Sequence, residues 1–212
     1  MRAIEFVDTL SEDLTRRGFL GGLAGLAAGA SQAKAPPKQP EVHNLLSNHP
    51  DHEITMLKTA KAAGIKGPEL AQLMAQVAHE SWDFSRLKEK PVGKNYFTKK
   101  YDIKYSPRTA KILGNKYPGD GERYHGRGFI QLTGRDNYRM AGEALNLPLL
   151  DKPDLAARPD IAAKIALWYW NTRVKPHVNN FNDTASVTKK INPAAKGLQD
   201  RHENFKDYMR II

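Results

Sequence analysis

Two glutamates, Glu80 and Glu89, stand nine residues apart in MAQVAHESWDFSRLKEKP (74–91), within a chain that is otherwise strongly basic. Paired carboxylates can hydrolyse a glycosidic bond, one protonating the leaving oxygen while the other attacks or activates water. Spacing alone does not select that chemistry, since most glutamates at such positions are solvated surface residues. On an unbroken helix, nine residues would put the two groups on opposite faces and about 13 Å apart. They cooperate only if the chain turns between them. SWDFSR (81–86) offers a turn: Ser81, Asp83 and Ser85 can bond nearby backbone, and a helix C-terminus is expected there. The zinc-protease pattern H-E-x-x-H starts at His79 and fails at Asp83, where the second histidine ligand is required. No metal is expected, and His79 reads as a hydrogen-bonding residue at a helix end.

The elements around the pair read as helices. DHEITMLKTAKAAG (51–64) places Ile54, Leu57 and Ala60 on one side and ends at a glycine suited to a C-cap. GPELAQLMAQVAHES opens with Pro68 near its start and spaces Leu70, Leu73, Met74, Val77 and Ala78 as one buried stripe, with Glu80 in the last turn. Residues 90–121 lack clean periodicity and predict loops and short helices bordering a cleft, with Tyr96 the aromatic best suited to it. GFIQLTG (128–134) is the one candidate strand. RDNYRMAGEALNL and RPDIAAKIALWYWNTRV predict two more helices, the second burying Ile161, Ile165 and Trp168.

Composition bounds the function. Twenty-three acids against 33 bases give a net charge of +10, which suits a polyanionic partner: nucleic acid, anionic lipid or a bacterial wall polymer. With no cysteine there is no disulfide framework, thiolate nucleophile or cysteine-based zinc site. Arg16-Arg17 followed by GFLGGLAGLAAGA has the form of a twin-arginine export signal, too short and glycine-rich for a stable membrane span. Cleavage after Ala30 and after Ala35 compete, and an uncleaved anchor that later leaves the membrane is a third reading. Residues 1–35 are therefore read as an address that engages the export machinery and inner membrane, 36–40 as a proline-rich spacer, and 41–212 as the domain. Residues 1–35 hold four acids and four bases, so the whole excess of positive charge belongs to the rest. Export argues against nucleic acid as partner, although bases and tyrosines interleave between residues 96 and 117.

Specificity comes from ERYHGRGFIQLTGRDNY (122–138). Together with AHES (78–81) and INPAAKGLQDR (191–201), it resembles glycoside hydrolase family 19, the chitinases of lysozyme-like fold and the compact phage and bacterial endolysins related to them. The similarity runs from about residue 50 to the C-terminus. It implies a mainly α, bilobal lysozyme-like domain with a catalytic cleft, at most a minor β element and no cofactor. It places the general acid on Glu80, the base on Glu89 and a water-holding hydroxyl on Thr133. Gln131 and Asn137 match sugar contacts, and Asn192 and Arg201 match a distal Asn and Arg lining the cleft.

The residues are consistent with those roles. Glu80 ends an apolar helix beside Trp82 and Phe84, and Glu89 lies among Arg86, Lys88 and Lys90. Arg127 could be an internal ion-pair partner or a substrate contact, and Tyr124 and Tyr138 could stack on sugars or pack in the core. Many members of the family carry glycines where this chain has Trp82-Asp83 and Pro193-Ala194, changes that stiffen or fill the cleft margin. The resemblance implies an inverting cleavage of β-1,4 bonds in chitin or in the glycan of peptidoglycan. The export signal, short loops and basic domain favour peptidoglycan, hence a monomeric lysozyme-type endolysin acting on the wall from the periplasm or outside the cell, with a secreted chitinase as the alternative.

Overall fold

The computed structural model describes residues 47–212. The export segment, the spacer and the start of the domain lie outside the described residues. Helix α1 (Pro50–Ala62) begins on a proline and carries Asp51 and Glu53 in its first turn and Lys61 in its last, charges that complement the helix dipole. Gly64, at φ +79, then turns the chain toward α2 (Gly67–Glu80).

Periodicity predicts one buried stripe on α2, but the structure buries every residue from Leu70 to Ala78. The reason is its central place: α9 (Leu198–Ile211) covers it most extensively, with α1 and α8 (Thr184–Ile191) on other sides. Its polar positions are matched across these contacts. Gln72 donates to Thr184 Oγ1 at 2.8 Å and Gln76 to Thr188 Oγ1 at 3.1 Å, so neither buried amide bears the roughly 1–3 kcal/mol penalty of an unmet hydrogen bond. Helix α7 (Pro159–Tyr169) packs on α1, buries Ile161 and Ile165, leaves Trp168 half-buried, and runs into one π-helical turn at Trp170–Val174.

Between α2 and α7 the chain forms a smaller lobe from the short helices α3 (Tyr96–Tyr101), α4 (Pro107–Leu113) and α5 (Asp120–Arg123). This lobe has its own core of Phe97, Tyr101 and Leu113, while the larger lobe packs around Met56, Leu73, Phe129, Ile165 and Tyr208. Two separate cores make the domain bilobal and mainly helical.

The expected strand at 128–134 does not form. Arg127 and Leu132 exchange backbone hydrogen bonds at 3.1 and 2.8 Å across a tight reversal, and Arg127 also bridges Lys88. Gly128 at φ +76 and Gln131 at φ +53 bend the backbone too sharply for extended pairing. Glycine is required at 128, where a Cβ would come within 2.8 Å of the Ala156 carbonyl oxygen. Helix α6 (Arg135–Leu145) follows directly, so the segment connects the lobes. Arg127 is internal, with Nε 3.1 Å from Asp154 Oδ1 and Nη1 donating to the Tyr138 hydroxyl at 3.0 Å. Tyr124 and Tyr138 are core residues whose rings lie 5.3 Å apart.

Candidate active site

The turn that convergence of Glu80 and Glu89 requires is present, in an uncommon form. Trp82, Asp83 and Phe84 adopt φ values of 54°, 57° and 59°, three successive left-handed residues without a glycine among them. Each costs about 1–2 kcal/mol, so the surroundings must fix them. Ser81 does much of this: its hydroxyl donates to the Val77 carbonyl at 2.7 Å and accepts the Phe84 N–H at 3.0 Å. The Asp83 N–H reaches the Ala78 carbonyl at 2.7 Å, and Phe84 is anchored in the core edge-on to Phe129 at 5.7 Å.

Beyond the turn, Glu89 is held by the Gly126 loop and by α3. Its N–H donates to the Gly126 carbonyl at 2.9 Å, and the Gly126 N–H donates back to Oε2 at 3.2 Å. Lys100 Nζ lies 2.9 Å from Oε1, and the Tyr101 hydroxyl lies 2.9 and 3.1 Å from the two oxygens. The cation facing the carboxylate is therefore Lys100, eleven residues onward, and not the sequence neighbours expected for that part. Lys88 pairs with Asp154 at 3.0 Å, and the Arg86 guanidinium lies 3.9 Å from the centre of the Trp82 ring. Burial works against the charge on Lys100, but hydrogen bonds to Tyr96 and Glu89 and the Glu89 charge outweigh it and raise its pKa. Burial, with the Glu89 charge, also pushes the Tyr101 phenol upward, so it remains a donor.

Glu80 has different surroundings from those read in the sequence. It pairs with Arg201 Nη2 from α9. Arg201 is 1% exposed and also donates to Gln76 Oε1 at 2.5 Å and to the Lys196 carbonyl at 3.2 Å. The apolar neighbours expected for Glu80 are elsewhere, because the left-handed turn sends Trp82 outward and Phe84 into the core. Beside it, His79 Nδ1 lies 2.5 Å from Asp200 Oδ2, also on α9.

Glu80 and Gln131 line one cavity of about 290 Å³, with Asn192, Arg201, Tyr169 and Trp170 among its other walls. Gln131 also links this cavity to Glu89. A Cβ on Gly126 would stand 2.9 Å from Gln131 Oε1 and 3.1 Å from Glu89 Oε2, so the amide oxygen and the carboxylate flank one point. Glu80, Gln131, Asn192 and Arg201 thus line one cavity, and Gln131 is the residue on it that also stands beside Glu89. Tyr96 stands on the Glu89 side through its hydroxyl, which accepts from Lys100 at 2.9 Å.

Thr133 and Asn137 stand behind this surface. Thr133 is fully buried and its hydroxyl donates to the Gln131 carbonyl at 2.8 Å; holding a water would require it to turn away from that carbonyl. Asn137 is buried, and its amide donates to the Thr133 carbonyl at 2.7 Å, so it braces the Gln131 turn and does not present itself to a sugar in this conformation. Lys100 and Tyr101 were not singled out by sequence. Their usable signal is YFTKKY, a helical turn that sets Tyr96 and Lys100 four residues apart.

A family model described as Chitinase class I matches residues 52–204. Among curated relatives, an endochitinase of Arabidopsis thaliana is 40% identical over 154 residues, covering 68% of this chain and 48% of its own. A glycosyl hydrolase family 19 domain-containing protein of Haemophilus influenzae is 30% identical over 169 residues, covering 70% of this chain and 82% of its own. This chain thus spans about half the length of the plant relative. Chitinase C of Streptomyces griseus superposes with a TM-score of 0.55 at 26% identity, over 76% of this chain and 68% of that one. A class IV chitinase from Zea mays shares the fold at 23% identity and a TM-score of 0.53, over 85% and 86% of the two chains.

Proposed function

Because the chain belongs to glycoside hydrolase family 19, we propose that it hydrolyses β-1,4 bonds of N-acetylglucosamine-containing glycans by inversion. The observation that carries this reading is that two separately held carboxylates flank one glutamine: Glu80, held by Arg201, shares a cavity with Gln131, and Glu89, held by Lys100, Tyr101 and Gly126, lies beside the Gln131 amide oxygen. In this mechanism Glu80 donates a proton to the glycosidic oxygen as the bond to the anomeric carbon breaks. Glu89 accepts a proton from the water that attacks the opposite face of that carbon. The product then has inverted configuration, which requires the two carboxylates to stand about 6.5–9.5 Å apart with a water between them. Lys100 and Tyr101 fix the base, and Thr133, if its hydroxyl turns, assists the water.

Chitin is the first substrate under this proposal, supported by the endochitinase and chitinase names of the relatives. Peptidoglycan is the second, favoured by the +10 charge, all of it outside residues 1–35, and by the twin-arginine sequence that would deliver a monomeric enzyme to the periplasm or beyond. One experiment tests both. The purified chain, Glu80→Gln and Glu89→Gln are incubated with chitin oligomers and with sacculi, and products are read by mass spectrometry and by anomeric proton NMR. Soluble oligomers of inverted configuration, absent from both variants, are expected from chitin. New muramic reducing ends from sacculi alone would transfer the proposal to peptidoglycan, and cleavage that survives both substitutions would refute it.

A further inference from the structure

Positive charge is concentrated in the small lobe. Residues 90–119 hold eight bases and a single acid, Asp102, so seven of the ten net charges of the chain fall within this one stretch. Asp102 is 1% exposed, and its carboxylate is taken up by the Lys104 and Gly119 N–H groups at 3.1 and 2.6 Å, so it presents no anion at the surface. Lys100 turns to Glu89, and the other seven bases are exposed, with no ion pair among the described residues. Apolar exposure coincides with the charge. Of the eight large hydrophobic side chains that stand exposed among the described residues, five lie in the same stretch: Val92, Ile103, Tyr105, Ile112 and Tyr117.

The two properties meet on one face. In α4 the buried Ala110 and Leu113 turn to the lobe core, and at 100° per residue Arg108, Lys111 and Ile112 fall within about 100° of arc on the opposite side. The turn that leads into α4 adds Ile103, Lys104 and Tyr105 at 39% exposure for the isoleucine and 55% for the tyrosine, with Lys104 Nζ 5.4 Å from the Tyr105 ring centre. The Ser106 hydroxyl donates to the Lys99 carbonyl at 2.7 Å and the Ser106 N–H to the Asp102 carbonyl at 2.8 Å, so this turn is fixed to the end of α3.

We infer that this outer face of the small lobe docks on an anionic phospholipid bilayer. Cations alone would suit any polyanion, but exposed isoleucines gain nothing from a hydrated polymer. At a bilayer, Ile103 and Ile112 enter the acyl boundary, Tyr105 lies at headgroup level and the bases meet lipid phosphates. No described helix is long and apolar enough to cross a membrane, so the attachment is to the surface and reversible.

Vesicle flotation tests this without requiring turnover. The full chain is mixed at low salt with vesicles of phosphatidylcholine alone and of phosphatidylcholine with about a quarter phosphatidylglycerol, and only the second is expected to bind it. Residues 1–35 carry an apolar run of their own, so every variant is made in the same full chain. An anionic leaflet favours each nearby base by about fivefold in partitioning, so Lys104→Gln, Arg108→Gln and Lys111→Gln together should lose about 100-fold. Lys152→Gln, Lys164→Gln and Lys206→Gln, the same charge removed from exposed positions of the larger lobe, should lose less than about fivefold. Tyr105→Ser with Ile112→Ser should lose about tenfold and leave binding that vanishes more readily in salt. All these side chains are at the surface, and melting temperatures should match the parent. Equal losses in the two lysine and arginine sets, or a loss in neither, would overturn the proposal. So would equal binding to both kinds of vesicle. Retention on sacculi or on a DNA duplex that depends on Lys104, Arg108 and Lys111, with no vesicle binding, would overturn it in favour of a polymer.

Discussion

Replacing Lys100 by methionine removes the one cation that, among the described residues, pairs with the proposed base, while keeping much of the apolar stem. The Lys100 and Glu89 side chains are only 14% and 16% exposed, so solvent screens their 2.9 Å contact far less than it would a surface pair. A hydrogen bond to a charged group contributes about 1.5–3 kcal/mol, which converts to a loss of roughly 10- to 150-fold if the bond persists in the transition state. Tyr101→Phe removes a neutral donor at 2.9 and 3.1 Å and should lose less, about fivefold. Because the contact holds the base and not the substrate, the loss should fall on kcat and leave KM nearly unchanged. Stability provides a second reading. The folded pKa of Lys100 is raised, so the contribution of the pair is fully present below the ordinary lysine value of 10.5 and is lost as pH rises through the folded value. Methionine should therefore lower the midpoint of urea unfolding at pH 7, with the difference shrinking in strong alkali. Chitin-oligomer kinetics and unfolding curves measure both effects. A Lys100→Met enzyme with kcat within twofold of the parent would refute the claim that this contact positions the base.

Two further outcomes follow from named contacts. Gly126→Ala places a methyl 3.1 Å from Glu89 Oε2 and 2.9 Å from Gln131 Oε1, side-chain atoms that can yield; kcat should drop by on the order of tenfold with little change in melting temperature, measured by oligomer hydrolysis beside a thermal melt. Asp120 is held by Arg135 at 2.6 and 2.7 Å and by the Lys116 and Tyr117 N–H groups at 2.8 and 3.0 Å; burial raises its pKa, but these donors outweigh it and lower the pKa overall. Its stabilisation is thus fully present above the unfolded value of 3.8 and lost as pH falls through the lower folded value, so Asp120→Asn should cost about 1.5–3 kcal/mol at pH 7 and progressively less as acid titrates the folded carboxyl in urea titrations.

Helices α1, α2, α6 and α7 are legible as helices from residues repeated every three or four positions and from their end signals, although α1 buries Glu53, Met56 and Ala60 and leaves Ile54 and Leu57 half-buried. Helix α9 is not, since LQDRHENFKDYMRI is polar along most of its length and buries an arginine between Gly197 and Phe205. The segment at 128–134 is a short run with turn residues at both ends, as a strand would be, yet Gly128 and Gln131 at positive φ turn it back on itself. The turn between Glu80 and Glu89 could be read from Ser81, Asp83 and Ser85, and Ser81 does fix it. What surrounds each glutamate could not be read, because both counterions arrive by tertiary folding. Of the cations near Glu89 in sequence, Lys88 turns to Asp154 and Arg86 to Trp82, and the aromatics adjacent to Glu80 are separated by left-handed geometry. Thr133 and Asn137, placed at the substrate by family resemblance, form the support beneath Gln131.

The two halves of the site differ in how far along the chain their partners lie. Glu89 is held by residues 11, 12 and 37 positions away, whereas Arg201 reaches Glu80 across 121. Closing a loop ten times longer costs about 2 kcal/mol more in chain entropy. Glu89, the proposed base, and its clamp can therefore form within a nearly local unit, while the surroundings of Glu80, the proposed acid, are completed only when α9 docks along α2. In a transient opening that lifts α9 alone, Glu89 would keep its donors while Glu80 would lose Arg201.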